Sequence, residues 1–285
     1  MVTVRYRCRT GNQLFQYCFA RILAEELGYA LDGKPVHGFP STRQEVKGLA
    51  IDQPSILVSE LFGSPAEYRS YPAAPGDSPV RRVPFPEVLE RCRGCRVFVD
   101  GFFEYFPYYQ PYIERIRSDW IRPATTSTLV RPNADDLVVH VRRTDMVGLG
   151  WAAPWSYFES LLNRVAFRQL YVATDAPHDP FHKNLAPYHP IFLSAQHADC
   201  ADAERWLYEF NTIAAFQRIA LSSGTFGWWA ALLAADADVY VPLLAEFGVH
   251  GGSLSGNALH VPLPRYHYVG RSAICRYAGD PPMLA

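Results

Sequence analysis

Two short stretches of this sequence combine residue types and spacing that could act on a negatively charged group. His140-Val141-Arg142-Arg143-Thr144-Asp145 continues the apolar run that begins at Leu137, and Ser222-Ser223-Gly224-Thr225 lies between the run from Arg218 and the apolar stretch Phe226 to Ala235. A guanidinium presents its N–H donors in a rigid fork. An arginine at the end of a buried strand can therefore grip a diphosphate through paired, charge-assisted hydrogen bonds. If the strand keeps its two-residue alternation, Arg142 points with His140 and Arg143 points away. The bland alternative is that these arginines pair only with Asp145 and surface acids. The serine-rich stretch offers hydroxyls, a glycine that permits close backbone approach, and the N–H groups of a helix start, which together make a phosphate site without a metal. Its bland alternative is an ordinary cap made by Ser223 or Thr225.

Other chemistries find no support in the pattern. The nine histidines are scattered, with His178, His197 and His267 read as surface or loop residues, and no D-x-D, H-E-x-x-H or G-x-S-x-G element is present. Cys92-Arg93-Gly94-Cys95 has C-x-x-C spacing, but no second pair completes a zinc site and no thioredoxin-like context surrounds it. It reads as a loop.

The elements that must position these residues follow from periodicity. From Asp136 onward, strands expected at Leu137 to Val141, Gln169 to Thr174, Ile191-Phe192, Arg218 to Ser222 and Val239 to Pro242 alternate with helices near Ser156 to Val165, Ala203 to Phe216 and Phe226 to Ala235. This alternation is that of a parallel sheet with helices on its faces, where ligands bind beyond the carboxyl ends of the strands. His140 to Asp145, Thr174-Asp175 and Ser222 to Thr225 all fall at such ends. Earlier in the chain, a first strand at Met1 to Tyr6 precedes Gly11-Asn12-Gln13 and a helix carrying Leu14, Phe15, Cys18, Phe19, Ile22, Leu23 and Leu27, stopped by Gly28. A further strand at Arg96 to Asp100 leads into the aromatic stretch Phe102 to Tyr112, read mainly as core, and then a helix ending near Trp120. Residues from about Gly33 to Pro86 read as loops and short elements. The Pro-containing stretch Arg122 to Pro132 is the expected linker, so the reading is an acceptor-side domain over 1–132, a donor domain over 133–262, and a tail over 263–285 that packs back on the first.

Composition sets the frame. The 285 residues are 49% hydrophobic and 19% charged with net charge −1, which suits globular domains and gives no reason to expect nucleic-acid binding. Six cysteines are too dilute for a disulfide scaffold, the amino terminus lacks signal-peptide features, and no apolar run reaches membrane-spanning length, so a cytoplasmic location is expected.

Several motifs, in order along the chain, resemble those of the GDP-fucose-dependent fucosyltransferases. Gly11-Asn12-Gln13-Leu14-Phe15-Gln16-Tyr17 is similar to the amino-terminal signature of the α-1,2-fucosyltransferase family (glycosyltransferase family 11). His140 to Asp145 resembles its H-x-R-R-x-D, and Ser223-Gly224-Thr225-Phe226-Gly227-Trp228-Trp229-Ala230 resembles its N-S-T-F-S-W-W-G. The resemblance implies an α/β, GT-B-like fold of two Rossmann-like domains facing a cleft, and inversion at the fucose carbon. GDP-fucose is the implied donor and a glycan the acceptor, with no metal or other cofactor. By the same resemblance Arg142 holds the β-phosphate, His140 lies beside the nucleotide, Ser223 to Phe226 cradle phosphate, Glu209 reads the guanine edge, and Asn12 faces the cleft from the acceptor side. Arg143, Asp175 and Ser222 complete the expected donor set. The sequence departs from the family at Arg7 to Thr10, where glycines are usual, and at Ser223 and Gly224. His140 to Asp145 and Tyr171 to Asp175 also resemble the α-1,6-fucosyltransferases, although the acidic residue expected five positions after Asp145 is Gly150. Linkage therefore stays open between α-1,2 and the α-1,6 or O-linked alternatives. A transferase for another nucleotide sugar and a catalytically silent binding module are further alternatives. For direct displacement, Asp145 and Glu104 are the candidate bases, with Asp145 alternatively a structural partner of Arg143.

Overall fold

The computed structural model describes residues 1–43, 48, 54–58, 84–196, 204–234, 236–251 and 259–276. Its chain divides into two compact units, Met1–Ala124 and Thr125–Ala285.

The first unit is built on a parallel sheet of four short strands, β1 (Val2–Val4), β2 (Leu31–Asp32), β3 (Ser55–Val58) and β4 (Arg96–Val99), in the order β2-β1-β4-β3. Helix α1 (Thr10–Leu27) follows β1 and is buried along nearly its whole length by Leu14, Phe15, Cys18, Phe19, Ile22 and Leu23. Gly28 ends it at φ 67, a left-handed conformation in which its N–H reaches the carbonyls of Ala24 and Glu25. Burial also raises the Cys18 thiol pKa well above its ordinary value. Helix α2 (Phe85–Cys92) ends on Cys92, and the turn through Cys95 leads straight into β4. The aromatic stretch after β4 is mostly core: Phe103, Phe106, Tyr108 and Tyr109 are buried, Phe103 stacks on Phe19 at 4.0 Å between centroids, and Phe102 and Tyr105 are half-buried. Short helical turns at Phe106–Tyr108 and Gln110–Tyr112 cross this stretch, and the helix expected to end near Trp120 follows over Ile113–Arg115 and Ile116–Trp120, the latter with π-helical geometry. Pro107 and Pro111 fall within the first two of these turns, where each lacks the N–H that a continuous helix would use.

The second unit is a Rossmann-like α/β domain. Strands β5 (Leu137–Val141), β6 (Leu170–Thr174), β7 (Ile191–Phe192), β8 (Arg218–Ala220), β9 (Asp238–Pro242) and β10 (Tyr266–Val269) are all parallel, and β11 (Ile274–Arg276) closes the edge antiparallel to β10. The spatial order is β11-β10-β9-β8-β5-β6-β7. From β5 the chain winds outward through β6 and β7, then returns to β8 on the opposite side, so the order reverses between β5 and β8. The described helices of this unit include α3 (Thr144–Gly148), α4 (Trp155–Leu162), α5 (Arg205–Ala215) and α6 (Thr225–Leu233). Every residue of β5 and β6 is buried, which explains their unbroken apolar character: a strand covered on both faces has no solvent side to alternate with.

Two expectations are corrected here. The segment after residue 262 supplies β10 and β11 to this sheet, while its last residues, 277–285, lie outside the described region. His267 is a buried β10 residue rather than a loop residue; its Nε2 lies 2.8 Å from Asp238 and its ring stacks on Tyr240. Alternating aromatic and histidine residues gave β10 no recognisable apolar run. The first part of the expected linker is also ordered: the Asn211 amide of α5 donates to the carbonyls of Thr125 (2.7 Å) and Ser127 (3.2 Å), and the Leu129 N–H donates to Thr212 Oγ1. Among the described residues, no helix is long and apolar enough to cross a membrane. The expected loops between 44 and 83, together with His197 and Cys200, lie largely outside the described residues.

Trp229, in α6, is completely buried. Trp229→Ala is expected to lower unfolding stability by about 3–5 kcal/mol through lost contacts and a residual cavity, read as a lower denaturant midpoint at unchanged slope.

Candidate functional site

The reversal between β5 and β8 gathers the polar strand ends. The Arg142 N–H donates to Ser222 Oγ at 2.9 Å, tying the end of β5 to the segment after β8. Gly224 follows at φ 111, a conformation that side chains rarely adopt, and a Cβ there would meet the Arg142 side chain at 3.5 Å. Gly227, in the first turn of α6, lies flat against His140; an added Cβ would sit 2.6 Å from the imidazole Nδ1. His140 and Arg142 thus both lie on the side of β8 and α6. Arg143 turns to Asp179 at 3.0 Å and packs its guanidinium over Phe181, 4.5 Å from the ring centroid.

Asp175, just beyond β6, organises the turn after β5. Its Oδ1 accepts the Arg143 N–H at 2.8 Å, and its Oδ2 accepts the Thr144 hydroxyl and one Arg142 Nη. Burial by itself would raise the Asp175 pKa, but these donors and the Arg142 charge hold it below the usual carboxylate range. The other Nη of Arg142 donates to Asp145 at 2.6 Å. Of this pair the arginine side chain is 13% exposed and the carboxylate 46%, so Asp145 is the partner that water or a ligand reaches more easily. Asp145 is a partner of Arg142, and Arg143 has its own acid.

The alternative of a hydroxyl cap by Ser223 or Thr225 is not realised at the start of α6: Gly224 occupies the cap position and no side chain makes the cap hydrogen bond. Two buried polar atoms here have no protein hydrogen-bond partner, Ser223 Oγ and His140 Nδ1. Phe226 completes the cluster, 5.9 Å from the His140 ring and 5.2 Å from Phe210 of α5. On α5, Glu209 lies between Trp206 and Phe210, both of which pack on Phe226. Burial raises the Glu209 pKa to about 7; nearby Arg205 opposes the shift and the negative charge of Asp175 adds to it. A carboxyl held in this way gains from any ligand N–H that can pair with its ionised form.

The expected residues from β5 onward therefore gather around one switch point except the Arg143 side chain, which turns away to Asp179, while Asn12 and Glu104 belong to the first unit, where the Asn12 amide donates to Glu104 Oε1 at 3.1 Å. Thr144 and Asp179 hold the arginine turn but were not singled out by sequence. Asp179 lies four residues after Asp175, a signal visible only once Arg143 is known to turn away. Among the described residues, no group of three or more His, Cys, Asp or Glu side chains is placed to hold a metal ion. No protein-family model matches this chain, and no curated protein matches it closely enough to name a relative.

Burial lowers the His140 pKa from 6.5 to about 4, against the opposing charge of Asp175. The unfolded chain then takes up a proton between those values that the native site refuses. The associated stability is complete above pH 6.5 and is lost as pH falls through about 4, with a magnitude of order 3 kcal/mol. His260, also shifted by burial to about 4, acts in the same direction. Denaturation measured across this window should show His140→Gln flattening the acid-side loss by about one proton relative to wild type.

Proposed function

We propose that the second unit binds GDP-fucose and that the protein is an inverting glycosyltransferase. It transfers L-fucose to a glycan hydroxyl, with α-1,2 transfer to galactose the preferred linkage. In this reading the two units are the acceptor and donor halves of a GT-B-type enzyme. The observation that carries the reading is the placement of Arg142 beside Ser222, Gly224 and the uncapped start of α6 at a Rossmann switch point. A guanidinium, a helix start and close backbone approach are the features that a diphosphate needs. The ordered motif resemblance, with Glu209 as the partner for guanine N–H groups, specifies GDP and fucose beyond diphosphate.

The chemistry follows from where charge develops. The acceptor oxygen attacks the fucose anomeric carbon as the bond to the β-phosphate oxygen breaks. The departing electron pair remains on GDP, where Arg142 and the start of α6 stabilise it. The acceptor proton passes to a carboxylate. Asp145 is a poor candidate because its Oδ1 already accepts from the Arg142 guanidinium and the Thr144 hydroxyl. Phosphate binding to Arg142 competes most directly with Asp145, the more exposed of its two acidic partners.

Calorimetry with GDP, UDP and ADP tests the donor, and product linkage analysis after incubation with GDP-fucose and galactosides, chitooligosaccharides or O-linked glycans tests the transfer. GDP should bind best. Arg142→Ala should weaken GDP binding by about 10- to 100-fold while the protein stays folded, in line with the loss of a charge-assisted pair. Unchanged GDP affinity in that variant would remove the phosphate assignment, and tighter binding of UDP or ADP would point to another nucleotide sugar.

A further inference from the structure

The first unit holds two thiols that donor binding does not use. Cys92 is the last residue of α2, and Cys95 stands directly before β4. Between them the chain makes a type II turn: Arg93 has φ −60 and ψ 132, Gly94 has φ 72, and the Cys95 N–H donates to the Cys92 carbonyl at 3.1 Å. Glycine takes the third position of such a turn without strain. The turn brings its first and last Cα atoms within about 7 Å, and a disulfide spans Cα atoms about 4.4–6.8 Å apart. Helix end and strand start therefore place two free thiols at a separation that a disulfide can bridge.

The turn is also held from outside. The Tyr29 hydroxyl accepts the Gly94 N–H at 2.7 Å and donates to the Cys92 carbonyl at 3.4 Å. Tyr29 is itself buried and tied to the end of α1, its N–H donating to the Ala24 carbonyl at 2.8 Å. The backbone is thus fixed before any bond forms between the sulfurs. Access to the two differs. Cys92 is fully buried, whereas Cys95 is half-buried, and a side chain added at Gly94 would meet nothing within 4 Å, so the way in over the turn is open. Burial, and secondarily the neighbouring Cys95 charge, pushes the Cys92 thiol up to about 12. The second cause disappears once Cys95 carries an uncharged mixed disulfide.

We infer that Cys92 and Cys95 form a redox-active dithiol that closes to a disulfide by exchange with a small-molecule disulfide of the glutathione type. The Cys95 thiolate bonds to one sulfur of that disulfide, and the other sulfur leaves as a thiolate. Cys92, giving up its proton, then bonds to Cys95 Sγ and expels the second thiolate. Two cysteine sulfurs are oxidised, the two sulfurs of the small disulfide are reduced, and the two cysteine protons end on the released thiols. The closed loop has only two residues between its cysteines, so the bond restricts the unfolded chain little, folding stabilises it little, and it stays readily reducible. Two sulfurs are half of a structural zinc set, and among the described residues no third ligand joins them.

The test incubates the full chain with oxidised glutathione, quenches with acid, alkylates free thiols in denaturant and weighs the peptide that carries both cysteines. In wild type this peptide should be lighter by two hydrogen atoms with neither cysteine alkylated, and dithiothreitol should restore alkylation of both. Cys92→Ser should stop at a glutathione adduct on Cys95, and Cys95→Ser should leave Cys92 an unmodified thiol. Wild type in which both cysteines alkylate, or in which Cys95 retains glutathione, would overturn the pair. Should buried Cys92→Ser fail to fold, Cys95→Ser at the half-buried position decides the order of attack: glutathione found on Cys92 of that folded variant would overturn it.

Discussion

The contact on which the rest of the second unit's site depends is the carboxylate of Asp175. It accepts from a backbone N–H, a hydroxyl and a guanidinium within the four residues after β5. A carboxylate offers about four lone-pair directions, so this one is largely spent on holding the turn. Its consequence is geometric. Arg142 stays on the side of β8 and α6, and Arg143 is sent to Asp179 and Phe181. Loss of Asp175 would leave a half-buried arginine and a backbone donor seeking new partners, a larger disturbance than the loss of one ion pair.

Close approach is the second constraint. Gly227 lets α6 start directly against His140, where a methyl group would clash with the imidazole, and Gly224 supplies beside Arg142 a backbone conformation, φ 111, that side chains rarely adopt. The cost is polar atoms that the protein leaves unpaired. Ser223 Oγ and His140 Nδ1 are buried without partners, and Glu209 holds its proton far above the ordinary carboxyl range. Native proteins rarely leave such groups unsatisfied, and the first two lie where β5 and β8 part. The first unit shows the same economy in another form: buried Gln16 and the Arg7–Asp100 pair fix a turn whose backbone is itself strained at Cys8.

Much of this was legible in the sequence because the signals are local. The stop at Gly28, the helical spacing of Leu14 to Leu23 and the unbroken apolar runs of β5 and β6 depend on neighbours along the chain. So does the alternation that separates Arg142 from Arg143. What failed was governed by distant partners. The strand β10 reads as Tyr-His-Tyr-Val, with no apolar pattern of its own, and becomes a strand because β9 offers a parallel edge and Asp238 meets His267.

The sequence by itself determined the residue types at the strand ends and hence the class of group they can bind, since side-chain chemistry and two-residue alternation need no tertiary information. Only the tertiary structure decided the pairing: that Asp145 belongs to Arg142, that Asp179 takes Arg143, and that Asp175 serves the turn as well as the arginine. Charges of opposite sign could be paired in several ways along the chain. The winding of β5, β6 and β8 brings particular partners within hydrogen-bonding distance, and burial then makes every other pairing expensive.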